Sequence, residues 1–581
     1  MKTLKMFSTR KFFPGFFNCL LIVSILNSNS YSQSAQLVRS KHGMVVSASE
    51  IASRVGVKIL EKGGNAIDAA VAVGFALAVT YPYAGNIGGG GFMVIHLKDG
   101  KNTTIDFREK APLTASRDMY LDKSGNYVPA LSQEGTTSAG VPGSVAGLIY
   151  ALKKYGTLPL AEVIQPAIDL ARSGWLLDYK SAESFKTFLP EFKKYPASYK
   201  IFSKDGVPYQ EGELFKQTDL ANSLELIKEK GRDGFYKGKI AELLVKQIKS
   251  LGGYISQSDL DEYNPVERAP IEGTYRGYKI ISMPPSSSGG IALVELLNIL
   301  ENYKFQKDDW GSSKYIHRLV EAMKYTYADR TYLLGDEDFF NVPKKGLISK
   351  AYAKTIYNKI EEHKDLAVPS KEIKAGDPSK YVESNETTHY SVYDQNGSAV
   401  SVTTTINSAF GSGIVAGGAG FLLNNEMDDF SAKPGEPNQF GLLGTEGNSI
   451  QPGKRPLSSM TPTIVLKDKK PFIIIGSPGG SRIITTVLQV IMNCIDFGMN
   501  IAEAVSAPRI HHQWMPDEIF YEKFSFPKDV KINLQKMGYK FEDANNKFTI
   551  LGLAEGIMID NDNNVILGAS DPRGSGAAVG F

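Results

Sequence analysis

Two neighbouring threonines, Thr387 and Thr388, stand where a polar segment ends and a strand-like alternation begins. A threonine hydroxyl is a weak nucleophile without a base, and a free α-amino group, with a pKa of roughly 7.7–8, can be that base on the same residue. Attack by the Thr387 Oγ on the Glu386 carbonyl would give an ester, and its hydrolysis would free this amine. The pattern predicts either a nucleophile at a new N-terminus or two ordinary threonines in a β-hairpin.

The segments on either side fit a cut at this point. Residues 363–386 are rich in Lys, Glu, Asp, Ser and Pro and have little apolar periodicity, which is typical of a mobile connector. Residues 390–405 alternate in polarity around Asn396-Gly397, a hairpin turn signal. We therefore expect Thr387 and the segment Thr405–Asn407 to lie near the same open end of one hairpin.

Three further features could surround such a nucleophile. The turn Gly479-Gly480 follows a predicted buried strand and precedes a helix, so its backbone N–H groups are free to bind an anion. The Gly- and Pro-rich residues 434–453 form a loop long enough to act as a lid. Arg108 directly follows the predicted strand 103–107. It is either a charge on the protein surface or a planar guanidinium that binds a substrate carboxylate.

The N-terminus predicts export. Four basic residues within the first eleven precede an apolar run from Phe12 to Leu26 and a short polar segment, the pattern of a signal peptide over residues 1–33. Its removal takes four positive charges from a formal +3 and leaves about −1, so charge gives no argument for nucleic acid. Cys19 leaves with this peptide, and Cys494 is predicted to be buried and unpaired. No later run is apolar enough to span a membrane.

Other chemistries find little support. The 581 residues, 42% of them hydrophobic, suffice for a large core in several domains or in one sandwich. The seven histidines show no zinc-ligand spacing, so neither a metal site nor a cofactor is predicted. Residues 411–416 fit a dinucleotide fingerprint nominally but lie outside any βαβ unit.

Taken together, motifs along essentially the whole mature chain resemble the gamma-glutamyltranspeptidase family of the N-terminal nucleophile hydrolase superfamily. In chain order they are Gly63-Gly-Asn65-Ala-Ile-Asp68, Gly88-Gly-Gly-Gly91-Phe-Met, Asp106-Phe-Arg108-Glu109, Pro284-Pro-Ser-Ser-Ser-Gly-Gly290, Glu386-Thr387-Thr388-His389-Tyr390-Ser391, Asn424-Asn-Glu426-Met-Asp-Asp429-Phe-Ser, Lys454-Arg-Pro-Leu-Ser458-Ser459-Met, Gly476-Ser-Pro-Gly479-Gly480-Ser-Arg and Ala569-Ser-Asp571-Pro-Arg573.

The resemblance implies an α+β fold of four layers, an αββα sandwich, built from two subunits of one autoprocessed precursor. Residues 34–386 would be the large subunit and 387–581 the small catalytic subunit, associated as a heterodimer in the periplasm or outside the cell. It also implies cleavage of glutathione and related gamma-glutamyl amides without a cofactor. The acyl group would pass through a Thr387 ester to water or to the amine of an amino acid or peptide.

Carried over motif by motif, the resemblance assigns roles around Thr387, the nucleophile. Thr405 would assist processing and orient the new terminus, and Gly479 and Gly480 would form the oxyanion hole. The remaining residues would bind the two ends of the substrate zwitterion: Arg108, Ser458 and Ser459 the α-carboxylate, and Asn407, Glu426 and Asp429 the α-ammonium.

One departure concerns the lid. Close bacterial relatives often carry a tyrosine there that hydrogen-bonds across the pocket, whereas this chain has Phe440, which can cover the pocket but cannot donate that bond. Two other functions stay open: an acylase for glutaryl amides, which would need fewer amine-binding carboxylates, and a non-catalytic exported binding protein, which would remain a single uncut chain.

Overall fold

The computed structural model describes residues 35–378, 390–544 and 550–581. The predicted signal peptide and the predicted cleavage site at Glu386 and Thr387 lie outside these residues. The framework of the described part is a pair of antiparallel sheets with seven strands each.

Sheet 1 contains strands from both sides of residue 387, and the strand Met44–Ser47 lies between two strands that follow this residue. In spatial order its strands are Ala577–Gly580, Met44–Ser47, Tyr390–Tyr393, Ala399–Thr405, Gly90–His96, Asn102–Asp106 and Val266–Arg268.

Sheet 2 stacks on one face of sheet 1. In spatial order its strands are Val38–Ser40, Val565–Ser570, Glu555–Asp560, Lys470–Ile475, Thr463–Lys467, Tyr278–Ser282 and Ile271–Tyr275.

Helices cover the outer faces of both sheets. Those packed on sheet 1 are Glu50–Glu61, Ala66–Thr80 and Ser144–Tyr155. Those packed on sheet 2 are Gly289–Leu300 and Ile501–Ser506, and the helix Ile483–Ile495 packs against both of these. The other α-helices are Pro129–Gln133, Leu160–Ser173, Tyr179–Phe192, Pro196–Phe202, Thr218–Lys230, Asp233–Tyr236, Gly238–Ser250, Gln257–Glu262, Ser313–Leu333, Lys344–Leu347, Lys350–Glu362 and Lys528–Lys536. Short strand pairs or triplets are Trp175–Leu176 with Leu214–Phe215, Ser203–Lys204 with Val207–Pro208, and Ile510–His511 with Ile519–Tyr521 and Phe541–Asp543.

Side-chain alternation in the central strands builds the layers. Met44 and Val46 belong to the core shared with sheet 2, whereas Val45 between them belongs to the core under the helices. The helix Ala66–Thr80 is buried on all sides, as its uniformly apolar sequence requires. The four-layer αββα prediction is therefore confirmed.

The predicted hairpin forms with a definite register. Tyr390 pairs with Val402 and Tyr393 with Ala399, on either side of the Asn396-Gly397 turn. On its other side the second strand pairs with Gly90–His96, so that Thr405 lies opposite Gly90. Strands from before and after the predicted cut thus share one hydrogen-bonded ladder.

The connector differs from the sequence prediction over residues 363–378, which are packed against the body of the protein. Val368 and Ile373 are buried in the main core. The Ser370 backbone N–H and hydroxyl donate to the Asp517 carboxylate at 2.9 and 2.6 Å, and the Gly376 N–H donates to Asp329 Oδ1 at 2.6 Å. Val368 and Ile373 are single apolar residues in a polar segment and form no helical or strand-like period. The composition of the segment therefore suggested a mobile connector.

Two other expectations concern export and the lone cysteine. Among the helices of the described ranges, none combines the length and hydrophobicity that crossing a bilayer requires. Cys494 is buried and unpaired, as predicted.

Packing of the connector can be tested at Gly376. A Cβ atom there would overlap the Tyr352 hydroxyl, so we expect Gly376→Ala to lower stability by about 1–3 kcal/mol in thermal unfolding. Gly417→Ala is the control, because its Cβ would lie 3.3 Å from the nearest atom, Gln247 Oε1. In a mobile connector the alanine would be neutral or slightly stabilising, and that result would contradict the packing.

Candidate active site

A cavity of about 370 Å³ opens at the end of the central hairpin, between the two sheets. Its lining includes the predicted site residues that fall in the described ranges, namely Arg108, Thr405, Asn407, Glu426, Asp429, Phe440, Ser458, Ser459, Gly479 and Gly480. These residues come from distant parts of the chain, and the fold brings them together. Thr387 itself lies outside the described residues.

Arg108 is fixed in place by its own backbone. It follows the strand Asn102–Asp106, and its N–H donates to Asp106 Oδ1 at 3.0 Å. The Tyr263 hydroxyl donates to the Arg108 carbonyl at 2.8 Å. The side chain is fully buried, and its Nε donates to the Pro456 carbonyl at 3.3 Å. The surface-charge interpretation of Arg108 is therefore wrong.

The Arg108 guanidinium lies among three carboxylates. Nη1 donates a very short hydrogen bond to Glu426 and lies 3.6 Å from Glu109, and Nη2 donates to Asp429 Oδ2 at 2.6 Å. From the sequence we expected Arg108 and the carboxylates of Glu426 and Asp429 to bind opposite ends of the substrate. In the structure the guanidinium and these carboxylates are in direct contact.

Burial sets the ionisation of this cluster. Desolvation raises the pKa of Glu109 to about 7, despite the opposing attraction of Arg108. Burial likewise holds the pKa of Glu426 well above, and that of Asp429 above, the usual range. Within the described part of the chain, neither Glu109 oxygen nor Glu426 Oε2 has a hydrogen-bond partner. The cluster therefore has acceptor capacity that an ammonium group could use.

Ser458 and Ser459 are held by residues that precede the predicted cleavage site. The Ser458 N–H donates to the Ser286 carbonyl at 2.9 Å, and the Ser288 N–H donates to the Ser458 carbonyl at 2.7 Å. Arg330 Nη2 donates to the Ser459 hydroxyl at 2.9 Å, and its Nε donates to the Ser288 hydroxyl at 2.7 Å. Nothing in the sequence signalled Arg330, a buried arginine within the helix Ser313–Leu333.

Thr405 and Asn407 form a tight structure at the open end of the hairpin. The Asn407 N–H donates to Thr405 Oγ1 at 2.8 Å, and Asn407 itself has a positive φ of 73°. Its Nδ2 donates to the Asn425 carbonyl at 2.9 Å, and Asn407 is part of the cavity lining. Both residues lie where the hairpin pattern predicted them.

The glycine turn has the backbone that an oxyanion hole requires. Gly479 has a φ of 141° and Gly480 a φ of 58°, backbone conformations that residues other than glycine rarely adopt. A short 3₁₀ turn, Gly480–Arg482, then leads into the helix Ile483–Ile495. Among the described residues, none accepts a hydrogen bond from the N–H groups of Gly479 and Gly480.

The loop predicted as a lid lies along the cavity, and Phe440 is part of the cavity lining. The Gln439 N–H donates to Asp428 Oδ2 at 3.1 Å, and the Ser408 hydroxyl donates to Gln439 Oε1 at 2.7 Å. The Phe440 ring lies so close to Gly480 that a Cβ atom there would approach its Cδ1 to 2.8 Å. The lid is thus in contact with the glycine turn.

No group of three or more His, Cys, Asp or Glu side chains in the described ranges is placed to hold a metal ion. The lining of the cavity includes guanidinium groups, carboxyl groups and hydroxyl groups, and the backbone of the glycine turn.

Two stacked antiparallel sheets between helical layers, with a polar cavity at the open end of the central strands, define the N-terminal nucleophile hydrolase class. The family model described as gamma-glutamyltranspeptidase matches residues 52–581. The chain belongs to the gamma-glutamyltranspeptidase family.

Individual relatives agree with this assignment. The chain is 53% identical over 539 residues to a glutathione hydrolase proenzyme of Escherichia coli K12, covering 92% of this chain and 91% of the relative. A cephalosporin acylase from Bacillus halodurans superposes with a TM-score of 0.84 at 28% identity, over 96% of this chain and 98% of that chain. Helicobacter pylori gamma-glutamyltranspeptidase superposes with a TM-score of 0.57 at 53% identity, over 58% of this chain and 96% of that chain.

The pKa of Glu109 has a consequence for stability. The unfolded carboxyl loses its proton near pH 4.5 and the folded one near pH 7, so this group's contribution to stability falls as the pH rises between these values. Glu109→Gln cannot ionise, so we expect its stability relative to the parent chain to rise over this interval by about 1–3 kcal/mol.

Thermal unfolding at pH 5, 6, 7 and 8 measures this difference. The same substitution at the exposed Glu50 controls for the change in net charge. A Glu109→Gln difference that stays flat from pH 5 to pH 8 would be inconsistent with the raised pKa.

Proposed function

We propose that this chain is a gamma-glutamyl transferase and hydrolase that cleaves the gamma-glutamyl amide bond of glutathione and related compounds. The observation that carries the proposal is the buried cluster of Arg108, Glu426 and Asp429 in the cavity, beside the paired serines Ser458 and Ser459. A cation, carboxylates and hydroxyls together suit the α-carboxylate and α-ammonium of one amino acid.

In the first step the α-amine of Thr387 accepts the proton of its own hydroxyl, and Oγ attacks the gamma-carbonyl carbon. The N–H groups of Gly479 and Gly480 stabilise the tetrahedral oxyanion. The carbon–nitrogen bond then breaks, and the leaving amine takes the proton from the Thr387 ammonium. The product is a gamma-glutamyl ester on Thr387.

In the second step water or an amine attacks this ester. The Thr387 amine accepts a proton from the attacking group, the ester bond breaks, and Oγ regains the proton. Water gives glutamate, and an amino acid or peptide amine gives a new gamma-glutamyl amide. The nature of the attacking group alone separates hydrolysis from transfer.

The substrate's zwitterion would open the self-paired cluster. Its α-carboxylate would bind Arg108 and the hydroxyls of Ser458 and Ser459, with Arg330 orienting Ser459. Its α-ammonium would take the place of one guanidinium contact at Glu426 and Asp429, with Asn407 beside them. Each new charge enters next to its opposite, which compensates for the loss of its water.

Maturation follows from the same residue. Thr387 Oγ would attack the Glu386 carbonyl, assisted by Thr405, and hydrolysis of the ester would give subunits of residues 34–386 and 387–581. The interleaved strands of sheet 1 would hold these two subunits together as a heterodimer. The signal peptide pattern of residues 1–33 supports export to the periplasm or beyond the cell.

A glutaryl acylase is the second candidate, favoured by the fold likeness to a cephalosporin acylase. A glutaryl group has no amine, and burying Glu426 and Asp429 beside it would leave carboxylates without a partner from the substrate. The carboxylate cluster therefore favours the gamma-glutamyl group.

The nucleophile can be tested at Thr387. We expect Thr387→Ala to leave an uncut chain in denaturing electrophoresis and to release no product from a gamma-glutamyl anilide, because it lacks the attacking hydroxyl. Thr387→Ser keeps the hydroxyl and should still be cut. Processing or turnover in Thr387→Ala would remove this residue from its role, and an uncut, inactive parent chain would favour the binding-protein alternative.

The substrate class can be tested with two anilides that differ only in the α-amino group. We expect kcat/KM for the gamma-glutamyl anilide to exceed that for the glutaryl anilide by at least about 100-fold, because the acyl site is built to pair the amine. Asp429→Asn should reduce this preference by about tenfold or more, since it removes one buried charge partner. A parent enzyme that prefers the glutaryl anilide would establish the acylase instead.

A further inference from the structure

Gln513 lies between the lid and the glycine turn, although it lines neither substrate end of the cavity. It follows the short strand Ile510–His511, and only 4% of its surface is exposed. Its side-chain amide is hydrogen-bonded both to the lid and to the residue that follows the glycine pair. A buried amide with all of its hydrogen bonds formed holds the groups to which it is bonded in fixed positions.

The donor end of this amide holds the lid. Gln513 Nε2 donates to the Phe440 carbonyl at 3.2 Å and to the Gly441 carbonyl at 3.1 Å. Two carbonyl oxygens can be satisfied only by the NH₂ end of an amide, so they determine which way the side chain points. Its oxygen must face the other side.

The acceptor end holds the glycine turn. Gln513 Oε1 accepts from the Ser481 hydroxyl at 2.7 Å and lies 3.0 Å from His511 Nε2. Burial lowers the pKa of His511 to about 3, so the ring is neutral and its proton must be on Nε2 to meet this oxygen. The Nδ1 atom then accepts from the Thr485 hydroxyl at 2.8 Å.

The two elements joined in this way meet at the cavity. Ser481 is the residue after Gly480 in the turn and is itself buried, and its carbonyl accepts a short hydrogen bond from Tyr327. Phe440, whose carbonyl is held by the amide, places its ring against Gly480. Movement of the lid away from the turn would break both Nε2 bonds of Gln513.

We infer that Gln513 is a positioning residue that couples the lid to the glycine turn and thereby sets how the acyl-enzyme is divided between water and amine acceptors. This inference rests on the proposed function. A lid held closed keeps the ester covered on one side and shapes the space that an amine must occupy. Water needs no shaped space, so loosening the lid favours hydrolysis over transfer.

Gln513→Glu separates the two ends of the amide. It keeps an oxygen for Ser481 and His511 but replaces the NH₂ group by an oxygen facing two carbonyls. We expect the ratio of transfer to hydrolysis at fixed acceptor concentration to fall about threefold to tenfold, and the KM for the gamma-glutamyl donor to rise by a similar factor. The kcat for hydrolysis should change less than about twofold, because the turn keeps its contact.

Gln489→Glu is a matched control. Gln489 is also buried, donates to the carbonyls of Thr485 and Ile510 at 2.7 and 2.9 Å and accepts from the Ile510 N–H at 3.1 Å; none of these hydrogen bonds goes to the lid or the turn. It should lower the melting temperature without moving the ratio or the donor KM. A shift equal to that of Gln513→Glu would show that general destabilisation is the cause and would overturn the coupling.

Two more variants complete the test. Should Gln513→Glu fail to mature, Gln513→Met keeps the volume, removes both hydrogen-bonding ends without adding a charge, and must lower the ratio. Ser481→Ala removes the turn side alone and should shift the ratio in the same direction, whereas an unchanged ratio would show that lid and turn act separately. An active parent enzyme with unaltered partition in all variants would refute the coupling and leave the proposed function intact.

Discussion

The Ser391 hydroxyl reaches across the gap between the two sheets and is bonded to sheet 2 at the carbonyls of Ile474 and Glu555, at 3.0 and 3.1 Å. Ser391 lies shortly after Thr387 in the chain, and Ile474 lies shortly before Gly479. This contact therefore sets the spacing between the strand that leads from the proposed nucleophile and the strand that leads into the proposed oxyanion hole. An apolar pair at this place would pack, but it would not fix the strands along their length, because dispersion contacts are not directional.

Sheet 1 adds a second constraint, since it combines strands from both sides of residue 387. Tyr390–Tyr393 lies between Met44–Ser47 and Ala399–Thr405, which in turn pairs with Gly90–His96. This ladder needs both halves of the chain, so the fold must form before a cut at residue 387 can be tolerated. The packed connector has the same effect, because residues 367–376 are hydrogen-bonded to residues on both sides of the predicted cleavage site.

Local signals in the sequence were sufficient for the elements that carry the site. The Asn396-Gly397 turn defined the hairpin, the apolar run of Ala66–Thr80 defined a buried helix, and paired glycines before a helix defined the Gly479-Gly480 turn. Each of these depends on periodicity or on backbone conformation within a few residues, and this information is present in a single sequence.

The contacts between those elements could not be predicted in the same way. Arg330 is hydrogen-bonded to Ser459, and Gln513 to Phe440. The residues of each pair are far apart in the sequence, and no periodic pattern links them. The stacking of the sheets decides these contacts. The packed connector was missed for a related reason, because Val368 and Ile373 are isolated apolar residues whose burial depends on a surface formed elsewhere in the chain.

The pairing of Arg108 with Glu426 and Asp429 would explain how the proposed acyl site can be both buried and selective. A buried guanidinium without partners would be strongly unfavourable, and so would isolated buried carboxylates, but together they compensate much of each other's desolvation. In the proposed function, a zwitterion entering the cluster would exchange these internal ion pairs for pairs with the substrate and would leave the balance of charge nearly unchanged. A ligand with a single charge would pair with either the guanidinium or the carboxylates and would leave the other group without a partner. The proposed selectivity would therefore arise as much from the ion pairs that the cluster loses with the wrong ligand as from those that it gains with the right one.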